Sequence, residues 1–438
     1  MRNLKKIKNY LDILPKHLFV FSLCILMFGY GIATNRYHIF PYYVLDNGYS
    51  QLKTLFTELK PHYLFPIRYN ESGVKYYDRD NVMPGVTLIT SYWPETEWTA
   101  GIRLIDLEGN ILHHWEVKAR DIWPQSPYID HVKNSKNLND NFVHGTYLYP
   151  NGDIIFNIEY LGLVRMNSIG EVLWKLPYRT HHSIFQDHDG NLWVSGVKWI
   201  EQGDVRIKLF PGLHVPYTED TILKVSPDGI ILQEISLLES IYKGNYQHLL
   251  HHYHRLGDDV LHLNDVEVLG GMLAEQFPIF NKGDLLVSIR DLSSIAVLDQ
   301  SGKIKWLCPG IFTRQHDPDF EEDGWITVFD NRLNLGRTMI RKINPINNEV
   351  KTLYPTNRDQ TFYTSSGGKH QKLDNGNRLI TEAGAGRIFE ISSEGKTVWE
   401  WIQQPFDSKY VPEVLEGTRY NFEEKEIANW EKANSNFN

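Results

Sequence analysis

The protein has 438 residues, of which 42% are hydrophobic, 23% charged and 13% aromatic. This composition is that of a folded globular protein and excludes a disordered, collagen-like or polytopic membrane chain. Acidic residues outnumber basic ones by 54 to 45, a net charge of -9, so no basic surface for general nucleic-acid binding is expected. The two cysteines are Cys24, in an apolar N-terminal run, and Cys308. The globular part therefore forms no internal disulfide, and a cysteine-rich zinc site is excluded.

The N-terminus has the pattern of an export or anchoring signal. An apolar stretch from Leu18 to Asn35 carries no Asp, Glu, Lys or Arg, and as a helix it would span roughly 27 Å, barely enough to cross a bilayer. The basic residues that precede it are Arg2, Lys5, Lys6, Lys8 and Lys16, and only Arg36 follows closely. The positive-inside rule then predicts a cytoplasmic N-terminus and an extracytoplasmic remainder, periplasmic or extracellular.

Two other interpretations of this segment stay open. Gly31-Ile32-Ala33 resembles a signal-peptide cleavage site, which would make the mature protein secreted, and the run could also be a buried helix of a soluble domain. We favour an uncleaved anchor because the charged leader is long and the cleavage signal is imperfect.

Beyond residue 85, short β-rich runs alternate with turns, and one pattern recurs six times. Each copy ends in a hairpin made of an apolar strand, a turn that usually contains Gly, and a second strand that often ends in Trp. These hairpins are Arg103–Trp115, Val164–Trp174, Leu223–Ile235, Ala296–Trp306, Ile340–Leu353 and Phe389–Trp401.

Most copies open with a histidine that precedes an inner Asp-Gly or Asn-Gly turn. These are His144, His182, His316 and His370, and His262 opens a longer variant that reaches Gly283. Two hairpins and roughly fifty residues per copy match a four-stranded propeller blade. The sequence therefore predicts an all-β fold, a six-bladed β-propeller preceded by one N-terminal transmembrane helix or signal sequence. The competing β-sandwich has no reason to repeat histidine, turn and strand in register.

The repeat divides the chain into four segments. Residues 1–35 are the basic leader with the anchor or signal, 36–84 a linker, 85–406 the propeller, and 407–438 a C-terminal tail that packs across the bottom or frays. The first blade is expected to begin near Gly85, without an opening histidine. Because 80 residues separate His182 from His262, against 54 between later histidines, the chain carries an insert around Lys198–Gly257. Within it, Leu237–His254 could form a short helix.

The innermost strand of each blade lines the central channel, so equivalent residues form a ring around one axis. The five histidines His144, His182, His262, His316 and His370 are therefore expected around one mouth of the channel. Packing does not need imidazoles there, because Val or Leu would fill the space without a hydrogen-bond partner. The alternative, histidines bonded to turn carbonyls, is strongest for His144 and His370.

The ring could bind either a metal or an oxyanion. Neutral imidazoles bind first-row metals, whereas imidazolium with guanidinium binds sulfate-like or phosphate-like groups. Strand alternation places His262 and Asn264 on one face, and Arg290 follows a strand of the same repeat. A guanidinium is repelled by a metal and offers it no ligand atom, but gives a tetrahedral anion a planar set of donors. The residues thus favour an oxyanion site, and no metal or cofactor is expected.

Four motifs in order carry a resemblance to a known family: His262-Leu-Asn264, Leu285-Leu-Val-Ser-Ile-Arg290, Phe312-Thr-Arg-Gln315-His316-Asp317 and Phe329-Asp330-Asn331. They resemble the arylsulfate sulfotransferase family over about Val143–Pro405. The resemblance implies a six-bladed propeller that moves a sulfuryl group from a phenol ester to another phenol without a nucleotide donor. It also implies that His316 is the transiently sulfated nucleophile, and that His262, Asn264 and Arg290 hold the sulfuryl oxygens.

The family's remaining histidine matches best at His182, with His144 as a rival, and His370 completes the expected substrate-binding set. A histidine nucleophile divides the transfer into two half-reactions with ping-pong kinetics. A protonated His182 would neutralise the leaving phenolate and later deprotonate the acceptor phenol. The expected partners are an aryl sulfate, a phenol and, through the N-terminal helix, a membrane. Two rivals are a metal-dependent propeller enzyme with the histidines as ligands and a non-catalytic surface-binding propeller.

Overall fold

A computed structural model describes residues 2–37, 40–41, 61–125, 128, 142–250 and 259–435. The chain divides into two compact units, Met1–Pro61 and His62–Asn438. The first unit contains one long helix, Arg2–Tyr37. Its segment Leu14–Thr34 is apolar, exposed and, at 21 residues, long enough to cross a membrane, although a signal sequence has the same features. The expected apolar N-terminal helix is therefore confirmed, and its length and composition suit a membrane span or a signal sequence.

Six antiparallel sheets, each a blade, make up most of the second unit. Counted from the inner strand outward, blade 1 contains Glu416–Tyr420, Val86–Trp93, Thr99–Ile105 and Ile111–Glu116. Blade 2 contains Val143–Leu148, Ile154–Ile158, Gly162–Met166 and Val172–Leu176. Blade 3 contains Arg179–Gln186, Leu192–Ile200, Tyr217–Val225 and Ile231–Ser236.

The other three blades follow the same order. Blade 4 contains Leu263–Val268, Leu285–Ile289, Ser294–Leu298 and Ile304–Pro309. Blade 5 contains His316–Phe320, Ile326–Asp330, Met339–Ile343 and Val350–Tyr354. Blade 6 contains Lys369–Lys372, Arg378–Glu382, Arg387–Ile391, Thr397–Ile402 and an added outer strand, Gly73–Tyr77. The inner strands of neighbouring blades contact one another around a closed ring, so the unit is a six-bladed β-propeller.

Strands from beyond both ends of the expected 85–406 range join the propeller. The expectation that blade 1 opens near Gly85 was wrong, because Val86–Trp93 is its second strand and Glu416–Tyr420, from the tail, is its inner strand. Strand Gly73–Tyr77 joins blade 6 by pairing with Thr397–Ile402. A separate two-stranded sheet pairs Leu64–Pro66 with Tyr410–Pro412. These pairings join distant parts of the chain and leave no local pattern in the sequence.

A single turn type explains why most of the hairpins could be predicted from the sequence. In the inner hairpin of blade 3, Asp187 N donates to Asn191 O (2.8 Å) and Gly190 N donates to Asp187 O (2.9 Å). Gly190 has φ +83°, a left-handed conformation that residues with a Cβ rarely adopt. The same pattern recurs with φ between +75° and +91° at Gly109, Gly152, Gly170, Gly229, Gly302, Gly324, Gly376 and Gly395.

Short helices connect and cover the blades. They are Ala119–Ile122, Leu237–Lys243, Gly271–Ala274 and Glu424–Ser435, with 3-10 turns at Pro94–Thr96, Val205–Leu209, Arg290–Leu292 and Ala383–Ala385. The insert helix begins after Ser236, whose Oγ accepts from Glu239 N, and it ends before Gly244, earlier than the expected His254. Residues 251–258 lie outside the described part of the chain.

Candidate functional site

Four of the five predicted histidines meet at one end of the central channel. Ring centres of His144 and His182 are 4.3 Å apart, those of His182 and His262 are 4.8 Å apart, and those of His182 and His316 are 6.3 Å apart. His182, His262 and His316 are buried, and His144 is half-buried. Residues far apart in sequence therefore share one site, because each lies in the inner strand of its blade or, for His262, directly before it.

The backbone at two of these histidines departs from regular strand geometry. His182 and His262 have φ values of +56° and +53°, and the pairing of the inner strand in blade 3 shifts register between His181 and Ile184. A left-handed residue within a bulge breaks the simple alternation of side chains along a strand. Left-handed histidines cost free energy, which is typical of functional positions.

His370 does not join this cluster. Its Nδ1 lies 2.9 Å from Asp319 Oδ2 and 3.6 Å from Asp317 Oδ2, further along the channel. Burial alone would lower the pKa of His370, but the two carboxylates raise it above its usual value. The structure therefore places His370 in a buried acidic cluster between blades 5 and 6.

His316 is held in one tautomer by Asn331. The amide nitrogen of Asn331 donates to Gly367 O (2.7 Å) and Thr364 O (3.2 Å), which orients its Oδ1 toward His316. That oxygen lies 2.7 Å from His316 Nδ1, so Nδ1 carries the hydrogen and Nε2 keeps its lone pair. Burial, with the nearby Arg290 guanidinium, holds the pKa of His316 well below its usual value.

Arg290 and Asn264 flank the nucleophile candidate. Arg290 Nε donates to Asp291 Oδ1 (2.8 Å), and its Nη2 lies 3.8 Å from Asp259 Oδ2. Asn264 Nδ2 donates to the carbonyl of Gln315 (2.9 Å), the residue before His316. Arg314, which lies in the same motif as His316, is 2.8 Å from the same Asp291 oxygen, so two guanidinium groups share one carboxylate.

Three of the four clustered histidines contact residues that were not predicted as part of the site: His181, Glu159, Asp259 and Asn331. His181 Nδ1 lies 2.7 Å from His182 Nδ1, Glu159 Oε1 lies 3.8 Å from the same atom, and Asp259 Oδ2 lies 2.5 Å from His262 Nδ1. Asn331 belongs to the Phe329-Asp330-Asn331 motif, which is the sequence signal for it. His181 was hidden because strand alternation predicts that its side chain faces away from His182.

Burial controls the charge of the cluster. It lowers the pKa of His144 to about 4 and that of His182 well below the usual value, with neighbouring imidazoles adding to the effect. These histidines are therefore neutral near pH 7, including His182, which was expected to be protonated. Burial also raises the pKa of Glu159 to about 7, since Arg290 compensates only in part.

The cavity beside His144 and His316 is small. Its volume is about 40 Å³, and Asn264, Asp265, Asp317 and Lys369 are among the residues that line it. This space suits one or two waters rather than an aromatic ring. A larger groove, about 630 Å³, lies between the outer strands of blades 1 and 2, where its lining residues include none of the four clustered histidines.

Two groups of side chains at the channel could hold a metal. Ligand atoms of His144, Glu159 and His182 lie within 4.8 Å of one another, as do those of Asp317, Asp319 and His370. The first group lies beside the Arg290 guanidinium, whose positive charge opposes a cation and favours an anion.

Comparison with known proteins identifies the family. The family model described as Arylsulfotransferase (ASST) matches residues 146–404. Among solved structures, a protein of unknown function from Bacteroides caccae is 16% identical, covering 73% of this chain and 94% of that chain, with a TM-score of 0.47. Virginiamycin B lyase from Staphylococcus aureus with quinupristin is 13% identical, covering 77% and 87%, with a TM-score of 0.41.

TolB from Acinetobacter baumannii is 11% identical, covering 76% of this chain and 66% of that chain, with a TM-score of 0.38. No curated protein matches the chain. The matched residues 146–404 make up more than half of the chain, and they contain all four motifs on which the resemblance rests. The chain therefore belongs to the arylsulfotransferase (ASST) family.

Proposed function

We propose that this protein moves a sulfuryl group from an aryl sulfate to a phenolic acceptor in two half-reactions, with His316 carrying the group between them. Membership of the arylsulfotransferase family supports the reaction class. The observation that carries the proposal is the contact of His316 Nδ1 with Asn331 Oδ1, because it leaves the lone pair of Nε2 available for attack.

In both half-reactions, the bond to sulfur is made or broken at His316 Nε2. In the first half-reaction, His316 Nε2 forms a bond to sulfur while the bond between sulfur and the phenolic oxygen breaks, and the phenolate leaves with the electron pair. In the second, an acceptor phenolate attacks the same sulfur and the N–S electron pair returns to His316. A neutral imidazole is required, and burial keeps the pKa of His316 low enough to supply it at pH 7.

We assign the sulfuryl oxygens to Arg290, His144 and Asn264. His262, expected among these binders, uses its ring nitrogens for Asp259 and His182 instead. Arg290 is close enough to His316 to lower its pKa, and its side chain is only 15% exposed, so its charge is poorly screened by water. An amide nitrogen carries two hydrogens, so Asn264 can brace the Gln315 carbonyl and still donate to a sulfuryl oxygen. His370, paired with Asp319, is given no contact with substrate.

His182 takes a modified role in this reaction. Because burial keeps it neutral, it serves the phenolic oxygen as a hydrogen-bond donor rather than as a charged acid. The leaving group departs as a phenolate, and the acceptor enters as one. The aryl ring lies in front of the channel mouth, since the cavity behind it is only about 40 Å³.

We also propose that the N-terminal helix is an uncleaved anchor with the propeller on the extracytoplasmic side. The basic leader before Leu14–Thr34 supports this orientation. N-terminal sequencing of the mature protein should then return the leader, and protease added to cells stripped of any outer membrane and wall, with the cytoplasmic membrane intact, should reach the propeller. A mature chain that begins after Ala33 would instead identify a signal peptide.

Intact-protein mass spectrometry tests the nucleophile. Full-length protein incubated with a chromogenic aryl sulfate should gain one sulfuryl adduct, and His316→Ala should gain none. His188→Ala is the matched control, because His188 is 61% exposed in a turn of blade 3 and should leave adduct formation unchanged. Undiminished turnover in His316→Ala would refute the assignment.

The metal-dependent rival rests on the convergence of His144, Glu159 and His182. Elemental analysis distinguishes the two functions. Near-stoichiometric Zn, Cu or Fe, with activity lost on chelation and restored by that metal, would favour the rival over sulfuryl transfer by histidine.

A further inference from the structure

Two adjacent histidines make a contact that only one arrangement of hydrogens permits. His181 Nδ1 and His182 Nδ1 lie 2.7 Å apart, and neither residue is more than 5% exposed. Two ring nitrogens can bond only when one carries a hydrogen and the other does not. Asp259 and His262, which lie next to this pair, decide which of the two nitrogens carries the hydrogen.

Asp259 determines which nitrogen of His262 carries the hydrogen. Burial opposes ionisation of this carboxyl, but the hydrogen bond from His262 and the Arg290 charge hold its pKa below the usual value. An ionised carboxylate only accepts, so the 2.5 Å contact places a hydrogen on His262 Nδ1. Burial lowers the pKa of His262, and Asp259 restores it only in part, so the ring is neutral and its Nε2 is bare.

The bare Nε2 of His262 fixes the hydrogen position on His182, and His182 in turn fixes it on His181. His262 Nε2 lies 3.3 Å from His182 Nε2, which must therefore be the donor. His182 is neutral, so its Nδ1 is bare and accepts from His181 Nδ1. His181 is also buried, and burial holds its pKa well below the usual value.

The Nε2 nitrogen of His181, the last ring in this row of hydrogen bonds, supports donation from His181 to His182. Nε2 of His181 has no hydrogen-bond partner among the described residues. The opposite direction would put a hydrogen on that nitrogen and leave a buried N–H unpaired, which is rarer and costlier in proteins than an unpaired acceptor.

We propose that His181 is a positioning residue whose Nδ1 hydrogen keeps the single hydrogen of His182 on Nε2, the nitrogen turned toward His262. The inference rests on the proposed function, in which His182 serves the phenolic oxygen. A hydrogen on Nε2 stabilises the negative charge that develops on that oxygen, whereas a bare Nε2 would repel it. Because burial keeps His182 neutral, His181 is what allows His182 Nε2 to donate a hydrogen bond to the phenolic oxygen.

Two substitutions of His181 separate this role from packing. His181→Asn keeps a nitrogen donor one bond from Cγ, as in Nδ1, whereas His181→Leu removes the donor and fills similar space. Single-turnover rates are measured with aryl sulfates whose leaving phenols differ in acidity. We expect His181→Leu to slow donors of weakly acidic phenols on the order of tenfold to a hundredfold and donors of nitrophenols little, with His181→Asn close to wild type. Equal slowing of all donors, or no rescue by Asn, would overturn the proposal.

NMR of ¹⁵N-labelled histidine rings in the full-length wild-type protein tests the hydrogen positions without any variant of His181. The His182 signals, assigned through His182→Gln, should show an unprotonated Nδ1 and a protonated Nε2 near pH 7. The opposite tautomer would overturn the proposal even if the enzyme is active. Conversely, if the wild-type protein transfers no sulfuryl group, the proposed function is wrong. The NMR spectrum would still show which nitrogen of His182 carries the hydrogen.

Discussion

At the scale of single residues, the orientation of one amide decides which nitrogen of His316 can react. Gly367 O and Thr364 O accept from the Asn331 amide nitrogen, so the amide oxygen faces His316 Nδ1. The motif around His316 identifies the residue but not its tautomer, because the two carbonyls that orient Asn331 come from a loop more than thirty residues away. The same holds for His182, whose neutrality follows from burial in the assembled ring and, secondarily, from neighbouring imidazoles.

Removal of the Asn331 side chain should expose this dependence. In Asn331→Ala, His316 loses its Nδ1 acceptor and populates the tautomer with a hydrogen on Nε2, which cannot attack sulfur. We expect the rate of phenol release in a single turnover to fall about tenfold, equivalent to roughly 1.4 kcal/mol in the barrier. An unchanged rate in a variant with wild-type thermal stability would contradict the tautomer argument.

Glu159 should impose a pH dependence on donor binding. Burial raises its pKa to about 7, so it is mostly protonated at pH 6 and ionised at pH 8. Its negative charge at pH 8 lies 3.8 Å from His182 and should weaken binding of the anionic aryl sulfate. KM for the donor is therefore expected to rise between pH 6 and 8 in wild type and to rise less in Glu159→Gln. Identical pH profiles for the two proteins would contradict this.

Among the secondary-structure elements, strand pairs formed by neighbouring segments could be predicted from the sequence, whereas pairs formed by distant segments could not. The six outer hairpins were predicted and are present, because the turn residues that shape them are contiguous in sequence. The inner strand Glu416–Tyr420 was not predicted, since its partner Val86–Trp93 lies at the other end of the chain. That strand also carries Glu416, which bonds Lys369 and Thr146 on the two neighbouring inner strands.

Truncation tests this closing strand. A chain ending at Leu415 lacks the inner strand of blade 1 and leaves Val86–Trp93 as an unpaired edge facing the channel. We expect it to lose cooperative thermal unfolding or to aggregate. A chain ending at Phe422 keeps the strand and loses the helix Glu424–Ser435, so it should fold with a lower Tm, measured by circular dichroism. Equal behaviour of the two chains would mean that ring closure contributes little.

At the scale of the whole molecule, the propeller concentrates ionisable groups along its axis. Burial raises the pKa of Asp317 and Glu159 to about 7 and that of Glu413 to about 8, while it lowers the pKa of the clustered histidines. Each raised carboxyl keeps a proton in the folded state that the unfolded state loses at about pH 4. The resulting stabilisation is complete below that pH and is lost as pH rises through the folded-state pKa.

Thermal stability should therefore fall at mildly alkaline pH. Between about pH 4 and 6.5 the neutral buried histidines oppose the trend, because the unfolded state binds protons that they do not. Above pH 6.5 the carboxyls and His370, whose pKa is also raised, both lower the stability as pH rises, so we expect Tm to decline from pH 6.5 to 8.5. Glu413→Gln should make the decline shallower, because it removes the carboxyl with a pKa of about 8. A Tm that is constant or rises over this range would contradict the assignment of these buried acids.

The amino-acid sequence by itself determined the propeller, its six outer hairpins and the histidines that open its blades. It could do so because turn glycines, strand alternation and a regular spacing act within a few residues of chain. Only the tertiary structure decided that the tail closes blade 1, that His370 pairs with Asp319 instead of joining the mouth, and that His181 contacts His182. Each of these depends on residues from different blades, or on a bulge that breaks alternation, and only the packed ring brings such groups within hydrogen-bonding distance.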